Sequence, residues 1–240
     1  MAMNQSGKIR ILVVSDWADT GFGRVCLELL PRLVETGLFE IEMIGWSFDG
    51  DPDRFLHAYK LGIKLHKENL LVRGRDWGES KFPEVLSSFN PNIVLTLGDP
   101  WMVDWVGSAP GRSSFQWVAY TPIDRDPISH EWCTILQKPD CLVLYSKFGL
   151  EVIERQIRYI KPQMIYHGVD CDVFRPYSRK DRKANRDKRQ INEDEFVIGM
   201  VARNQERKMV PRALGAFKAF NCTCCKDHSR RSDEVVRPHL

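Results

Sequence analysis

Apolar stretches and amphipathic stretches alternate along most of the chain. Continuous apolar runs, which are typical of strands buried on both faces of a parallel sheet, lie at residues 8–15, 91–97, 114–120 and 140–145. Apolar residues at helical spacing predict helices at residues 24–36, 79–89, 128–137 and 147–159. The run at 39–46 alternates at first, so we expect this strand nearer an edge. Shorter elements are predicted at residues 51–59 (helix), 61–74 (strand or hairpin), 101–106 (helix) and 163–166 (strand). This order predicts an α/β fold with a doubly wound, Rossmann-like parallel sheet.

Residues 196–220 repeat the strand-and-helix pattern after a polar interval. A continuous apolar run at 196–202 predicts a buried strand, and apolar residues at helical spacing predict a helix over 210–220. Arg203 follows this strand and Lys208 precedes this helix, which is where open α/β sheets bind their ligands. Two cations beside free helix N–H groups favour a diphosphate ligand. The predicted organisation is an N-terminal domain (8–165), a linker (166–194), the start of a second domain (195–220) and an irregular tail (221–240).

The linker carries the densest charge of the chain. Residues 179–189 hold seven cations and two Asp, and we predict a solvent-exposed basic loop there. A phosphate-binding or nucleic-acid-binding patch is the alternative, although no aromatic residue is interleaved for base stacking. The 240-residue chain has a net charge of only +3, which does not by itself indicate nucleic acid. Nucleic acid is therefore not the expected partner.

Cysteine usage and hydropathy favour a cytoplasmic protein. Four of the seven cysteines are scattered among apolar segments, and we interpret them as buried free thiols of a reducing compartment: Cys26, Cys133, Cys141 and Cys171. No apolar run approaches the roughly 18 residues that a membrane span needs. The N-terminal sequence lacks the pattern of a signal peptide. The remaining Cys cluster near the C-terminus matches no common zinc-ligand spacing, so we expect no bound metal.

Two motifs resemble those of a known enzyme family. A short strand ending in HGVD (167–170) is followed by FRP (174–176), and the run VIGMVAR (197–203) is followed by Lys208 before a helix. In this order and spacing they resemble the group 1 glycosyltransferases, the large family 4 class with the GT-B fold. The TGFG loop at 20–23 and YTPID at 120–124 fit the same family, and the similarity extends over residues 8–220. Two residues depart from the family pattern: His167 stands where Asn is commoner, and Met209 stands where Gly is commoner.

The resemblance implies transfer of a sugar, of hexosyl type, from a nucleoside-diphosphate donor to a glycan, lipid or protein acceptor. It also implies retained anomeric configuration and a reaction without a metal or other cofactor. Without a metal, fixed cations must stabilise the charge of the departing diphosphate, and Arg203 and Lys208 match the family's positions for that role. The family binds its acceptor mainly on the N-terminal domain and its donor mainly on the C-terminal one.

The second domain is shorter than the resemblance requires. A complete doubly wound domain needs on the order of 100–150 residues. Fewer follow the linker here, and the family's Glu-rich donor motif is not reached. We therefore expect a truncated glycosyltransferase, whose own activity the sequence leaves open.

The loop after the predicted strand 114–120 supplies the candidate catalytic residue. The family often has a His in this region, and Asp124 is the candidate for the equivalent role here. It could accept a hydrogen bond from a sugar hydroxyl or act as a base. Capping of a turn or helix is the alternative, which Asp126-Pro127 nearby makes plausible.

Other candidate contacts lie after the remaining strands. Gly21, Phe22 and Gly23 form a glycine loop through which the backbone could approach a ligand closely. Asp99 and Ser146 are candidate cleft contacts, with helix capping as their alternative role. An NAD-binding fingerprint fits poorly, because the position of its third Gly holds Cys and no acidic residue ends the second strand.

Two functions of other classes remain open. The chain could be a non-catalytic domain that recognises a glycan or a partner protein. It could also contact nucleic acid through the basic residues 179–189. Nucleotide-sugar binding and the salt dependence of affinity would separate these three hypotheses.

Overall fold

The computed structural model describes residues 7–67, 76–202 and 204–224, and the chain divides into two compact units, Met1–Asp170 and Cys171–Leu240. The first unit is built on a seven-stranded sheet in which every strand runs parallel to its neighbours, in the order β3-β2-β1-β4-β5-β6-β7. The strands are β1 (Ile9–Asp16), β2 (Phe39–Trp46), β3 (Ile63–Lys67), β4 (Ile93–Leu97), β5 (Gln116–Thr121), β6 (Cys141–Leu144) and β7 (Gln163–Met164). The predicted doubly wound parallel sheet is confirmed.

Helices connect the strands of the first unit and make up much of the second. In the first unit they are α1 (Gly21–Glu35), α2 (Pro52–Lys60), α3 (Phe82–Phe89), α4 (Pro100–Val103), α5 (His130–Ile135) and α6 (Lys147–Gln156). In the second unit they are α7 (Arg179–Lys188) and α8 (Val210–Cys224). None of the described helices combines the length and the apolar character that crossing a membrane requires.

The two faces of the sheet carry separate cores, as the period of two along a strand requires. On β1, Ile11 and Val13 face one way and pack with α1 and α2. Leu12 and Val14 face the other way and pack with α3 and with the helices that follow β4, β5 and β6. Burial on both faces explains why the central strands read as continuous apolar runs.

Two predicted segments of the first unit are adjusted by the structure. The predicted helix 101–106 is split into the short α4 and a 3-10 helix, Asp104–Ser108. The predicted strand or hairpin at 61–74 contains β3 over Ile63–Lys67, while residues 68–75 lie outside the described residues.

The cysteines are less uniformly buried than predicted. Cys26 is buried, Cys133 and Cys141 are half-buried, and Cys171 is exposed. Cys171 belongs to the second unit, in which no described side chain is buried, so there is no core to enclose its thiol.

The predicted strand at 196–202 is wrong for this structure. The described part of the second unit contains no strand beside this segment, and a lone strand leaves its backbone N–H and C=O groups without a ladder. Its apolar side chains are accordingly exposed, and Phe196 keeps 85% of its surface accessible. A continuous apolar run is typical of a strand that pairs with neighbours and is buried, and the described residues of this unit supply no such neighbouring strand.

The prediction of a basic loop at 179–189 is also wrong, because Arg179–Lys188 form the helix α7. Ser178 caps this helix by accepting a hydrogen bond from the Asp181 backbone N–H at 3.1 Å. Lys, Arg and Ala are good helix formers, and the segment contains neither Gly nor Pro. The predicted helix at 210–220 corresponds to α8, which continues to Cys224 and so enters the segment predicted as an irregular tail. Residues 225–240 lie outside the described residues.

A buried carboxylate joins the two strands at one end of the sheet. Glu42 on β2 accepts hydrogen bonds from His66 Nε2 at 2.6 Å and Lys64 Nζ at 3.1 Å, both on β3. Burial raises the pKa of Glu42, but the hydrogen bonds from His66 and Lys64 outweigh burial, so its pKa lies below the usual value. The negative charge of Glu42 therefore contributes to holding the edge strand β3.

We expect Glu42→Gln to lower the free energy of unfolding at neutral pH by about 2 kcal/mol, because a charge-assisted hydrogen-bond pair is lost. A lowered pKa in the folded state gives stability that is present above the unfolded pKa and is lost as pH falls through the folded pKa. Urea denaturation at neutral and acidic pH should thus show the variant and the wild type converging in acid. Glu35→Gln, on the exposed end of α1, is the control and should change little. A difference that persists unchanged in acid would contradict the assigned pKa direction.

Candidate functional site

The sheet has one point at which its winding reverses. β1 lies between β2 and β4; α1, which leaves β1, packs on one face, and the elements that follow β4 pack on the other. In open α/β sheets, ligands bind in the crevice outside the carboxyl ends of the strands at such a point. We call this side of the sheet, with the loops after β1, β4, β5 and β6, the carboxyl edge.

The glycine loop after β1 is held by a short chain of hydrogen bonds. Thr20 Oγ1 donates to Asp16 Oδ2 at 2.6 Å and accepts from the Gly23 N–H at 3.1 Å, which caps α1. Gly23 lies so close to the chain that a Cβ there would stand 2.0 Å from the Ala18 carbonyl oxygen. A Cβ at Gly21 would meet nothing within 4 Å. Gly23 is thus required by packing, whereas Gly21 faces open space.

Asp16, which the sequence analysis did not single out, is an unusual group in this loop. Its side chain is buried, and its second oxygen, Oδ1, has no hydrogen-bond partner among the described residues. Buried polar atoms are nearly always satisfied, so such an atom needs an explanation. The i,i+4 spacing of Asp16 and Thr20 at a strand-to-helix turn was the available sequence signal.

Asp99 lies near an aromatic cluster formed by Tyr120, Tyr145 and His167. The ring centroid of His167 lies 4.0 Å from that of Tyr145 and 5.2 Å from that of Tyr120. Tyr120 OH donates to the Ile165 carbonyl at 2.6 Å, which ties the end of the first unit to the sheet. The cluster joins the carboxyl ends of β5 and β6 to the HGVD turn.

The electrostatics of this cluster keep it uncharged. Burial raises the pKa of Tyr145, and the neighbouring Tyr120, Asp99 and Cys26 raise it further. Burial likewise raises the pKa of Tyr120 and lowers the pKa of His167. The effect of Asp99 on Tyr145 shows that this carboxylate belongs to the same neighbourhood. The ring contacts of His167 with Tyr120 and Tyr145 thus hold the HGVD turn against the sheet.

Asp124 stands on a loop that is braced on both sides. Ile123 is buried, and Asp126 pairs with Arg155 at 2.6 Å and accepts from Gln156 at 3.2 Å. Asp124 itself is exposed and has no hydrogen bond or ion pair to any described residue. A carboxylate held at the carboxyl edge and left open to solvent is available to a substrate hydroxyl or proton.

Ser146 begins the next helix along the same edge. Its hydroxyl accepts a hydrogen bond from the Gly149 N–H at 3.1 Å, so it caps α6. Gly149 lets α6 approach the Asp124 loop, because a Cβ there would lie 3.2 Å from the Cβ of Ile123. Ser146 therefore has the capping role, and its direct contribution to a site remains a proposal.

Four of the predicted positions thus follow four adjacent strands, β1, β4, β5 and β6, at one edge. Trp101, at the start of α4 and two residues after Asp99, was not predicted as a site residue. Its ring contacts Trp77 at 5.2 Å and is still 47% exposed. An exposed indole beside a carboxylate is a common surface for binding polar, partly apolar ligands.

The two residues predicted to bind the diphosphate, Arg203 and Lys208, belong to the second unit. Lys208 ends a 3-10 helix, Glu206–Lys208, directly before α8, and its side chain is exposed. Met209 follows with a left-handed backbone (φ 53°), which explains why glycine suits this position. Arg203 lies outside the described residues. The described residues include no group of three or more His, Cys, Asp or Glu placed to hold a metal ion.

Comparison with solved structures identifies the fold. HepE from Anabaena, crystallised in complex with UDP, superposes with a TM-score of 0.60 at 11% identity, over 88% of this chain and 58% of its own. A glycosyltransferase from Rickettsia africae superposes with a TM-score of 0.54 at 16% identity, over 78% of this chain and 51% of its own. This chain has the Rossmann-like α/β fold seen in GT-B glycosyltransferases.

The likeness is one of fold rather than of sequence. The chain spans between about half and three fifths of the length of these two structures. No protein-family model and no curated protein matches it. Activity, donor and acceptor therefore have to be argued from the residues of this chain.

Proposed function

We propose that this chain acts in glycosyl transfer from a nucleoside-diphosphate sugar to an acceptor hydroxyl. The main support for the proposal is the arrangement of residues at the carboxyl edge. Its glycine loop, Asp99, Asp124 and Ser146 follow adjacent strands in a fold shared with a glycosyltransferase from Rickettsia africae and with HepE, which was crystallised with UDP. Uridine diphosphate is accordingly the proposed nucleotide of the donor.

The first unit would supply the acceptor side of the reaction. Asp124, exposed on a braced loop, would accept a hydrogen bond from the reacting hydroxyl or remove its proton. Asp99, near Tyr145, would orient a second hydroxyl, and the exposed face of Trp101 would pack against the apolar side of a sugar ring. The backbone at Gly21 would allow close approach of the ligand.

The second unit would supply cations to the departing diphosphate. Lys208 is exposed beside the N-terminus of the fifteen-residue α8, where helix N–H groups and the helix dipole favour a phosphate. Arg203 is proposed for the same role because its guanidinium can donate two parallel hydrogen bonds. With fixed cations in this role, the reaction would proceed without a metal, and we propose retention of anomeric configuration.

A non-catalytic binding function is the second candidate. No described side chain of the second unit is buried, so Lys208 lies on a unit whose described residues form no packed core. The first unit, by contrast, has a packed core on each face of its sheet, and the exposed ring of Trp101 would be available to a ligand. Glycan binding by the first unit without transfer would follow if the donor does not bind.

We expect UDP to bind the full chain and Lys208→Ala and Arg203→Ala each to weaken binding about tenfold, the loss of one charge-assisted hydrogen bond. Isothermal titration calorimetry with UDP, GDP and ADP measures this and ranks the bases. Lys218→Ala, an exposed cation further along α8, is the matched control and should bind UDP normally. If UDP does not bind, or if Lys218→Ala loses as much affinity for UDP as the other two variants, the assignment of the donor site is wrong and the non-catalytic function is favoured.

A further inference from the structure

The charge of this protein is concentrated on one helix that the proposed reaction does not use. Residues 179–189 contain seven cations and two carboxylates, a net charge of +5, whereas the whole chain has +3. The rest of the chain is therefore slightly acidic. Such focusing of positive charge produces a local field that attracts a polyanion.

Four of the seven cations share one side of α7. Arg179, Arg182, Lys183 and Arg186 stand at positions i, i+3, i+4 and i+7, which are neighbours on a helix surface, and we call them the basic face. The side chains of the first three form no hydrogen bond or ion pair with any residue that the structure describes. Arg186 donates to the backbone carbonyls of the loop that follows, including Glu195 at 2.6 Å, and keeps its charge unneutralised.

The acidic residues of the helix do not neutralise this face. Asp181 accepts a hydrogen bond from the Ser178 hydroxyl at 2.6 Å and belongs to the helix start. Asp187 has no ion pair within the described residues. The basic face is therefore open to an external anion.

Apolar anchors adjoin the basic face. Phe174 and Tyr177, which precede α7, are 65% and 68% exposed. Tyr177 lines the same surface depression as Ser178 and Asp181, so its ring borders the first turn of the helix. An exposed Phe and Tyr next to cations is the combination found at membrane–water interfaces, where aromatic rings enter the headgroup region.

The helix also has no apolar stripe with which to pack on a protein core. Ala184 is its one apolar residue, and it is exposed. A helix that is polar all round gains no stability from tertiary burial. A charged surface that binds the basic face would supply the stabilisation that packing does not.

We propose that α7, together with Phe174 and Tyr177, docks this protein on the surface of an anionic lipid bilayer. The basic face lies on the lipid phosphates, and the two aromatic rings enter the headgroup layer, so the chain rests on the membrane without spanning it. A nucleic acid would use the cations equally well. A duplex, whose bases are already paired and stacked, would leave the aromatic anchors without a role, and the helix itself has no aromatic residue for base stacking.

Vesicle sedimentation with the full chain tests this surface. The protein should bind vesicles of mixed phosphatidylglycerol and phosphatidylcholine at physiological ionic strength, and it should not bind phosphatidylcholine alone. Binding should weaken as salt rises. Replacing Arg179, Arg182 and Lys183 together by Gln should lower the partition coefficient on the order of 100-fold, about fivefold for each cation. Gln keeps the helix propensity of the segment, so circular dichroism should be unchanged.

The matched control removes the same charge from the first unit. Lys60, Arg158 and Lys161 are exposed there, and their joint replacement by Gln should leave vesicle binding within about twofold of wild type. Phe174→Ser with Tyr177→Ser should weaken binding while preserving its salt dependence. The proposal is overturned by absence of binding to the anionic vesicles, by equal losses in the control, or by binding of duplex DNA without binding of vesicles.

Discussion

Gly23→Ala is expected to lower the free energy of unfolding of the first unit by about 3 kcal/mol, the cost of forcing a methyl group into a closed space. The new Cβ would lie 2.0 Å from the Ala18 carbonyl oxygen, which is a backbone atom and cannot turn away as a flexible side chain could. Moving the loop would also separate the Gly23 N–H from Thr20 and so remove the cap of α1. Urea denaturation of the full chain, followed by circular dichroism, measures the loss.

Gly21→Ala is the matched control, two residues away in the same loop. A Cβ at Gly21 meets nothing within 4 Å, and its backbone does not lie in the left-handed region. We expect a change within about 0.5 kcal/mol, because the substitution adds no contact and removes none. Equal destabilisation by both substitutions would contradict the packing reason given for Gly23.

The sheet could be predicted from the sequence because each central strand is buried on both faces. On β1 and β4 the side chains of both faces are covered, so apolar residues are continuous along each strand instead of alternating with polar ones. Such runs are recognisable in the sequence as buried strands. The same signal failed at residues 196–202, where the run is equally apolar but no neighbouring strand is present among the described residues. An apolar run indicates that a segment could form a buried strand. Whether the strand forms depends on partner strands elsewhere in the chain.

The candidate site could be predicted in part, because the start of a helix after a strand is visible in the sequence. Gly21, Asp99 and Ser146 were located by that rule and Asp124 by the family resemblance, and their roles remain proposals. Tyr120 and Tyr145 could not be found in this way, because Tyr120 lies on β5 and Tyr145 directly follows β6, and the two rings become neighbours only through the pairing of these strands. Residues 179–189 were recognised as charged, but the placement of four cations on one face depends on a helix that the scarcity of apolar residues concealed.

Asp124→Asn is expected to lower the rate of glycosyl transfer about 100-fold or more, as the loss of a general base does. Asn keeps the shape of the side chain and an oxygen that accepts hydrogen bonds, but it cannot take a proton. If Asp124 serves instead as a hydrogen-bond acceptor for a sugar hydroxyl, Asn should retain most of the rate and Ala should lose it. The rate of UDP release from UDP-glucose and from UDP-N-acetylglucosamine, with and without oligosaccharide acceptors, measures each variant.

Asp126→Asn provides the control, since Asp126 lies in the same loop and carries the same charge. It pairs with Arg155 and Gln156, so its replacement should reduce stability while the rate per folded molecule stays near wild type. This pair of substitutions separates a chemical role from the bracing of the loop. Equal rate losses at both positions would show that loop geometry matters and that Asp124 has no special part. Unchanged rates in both Asn and Ala variants of Asp124 would remove it from the site altogether.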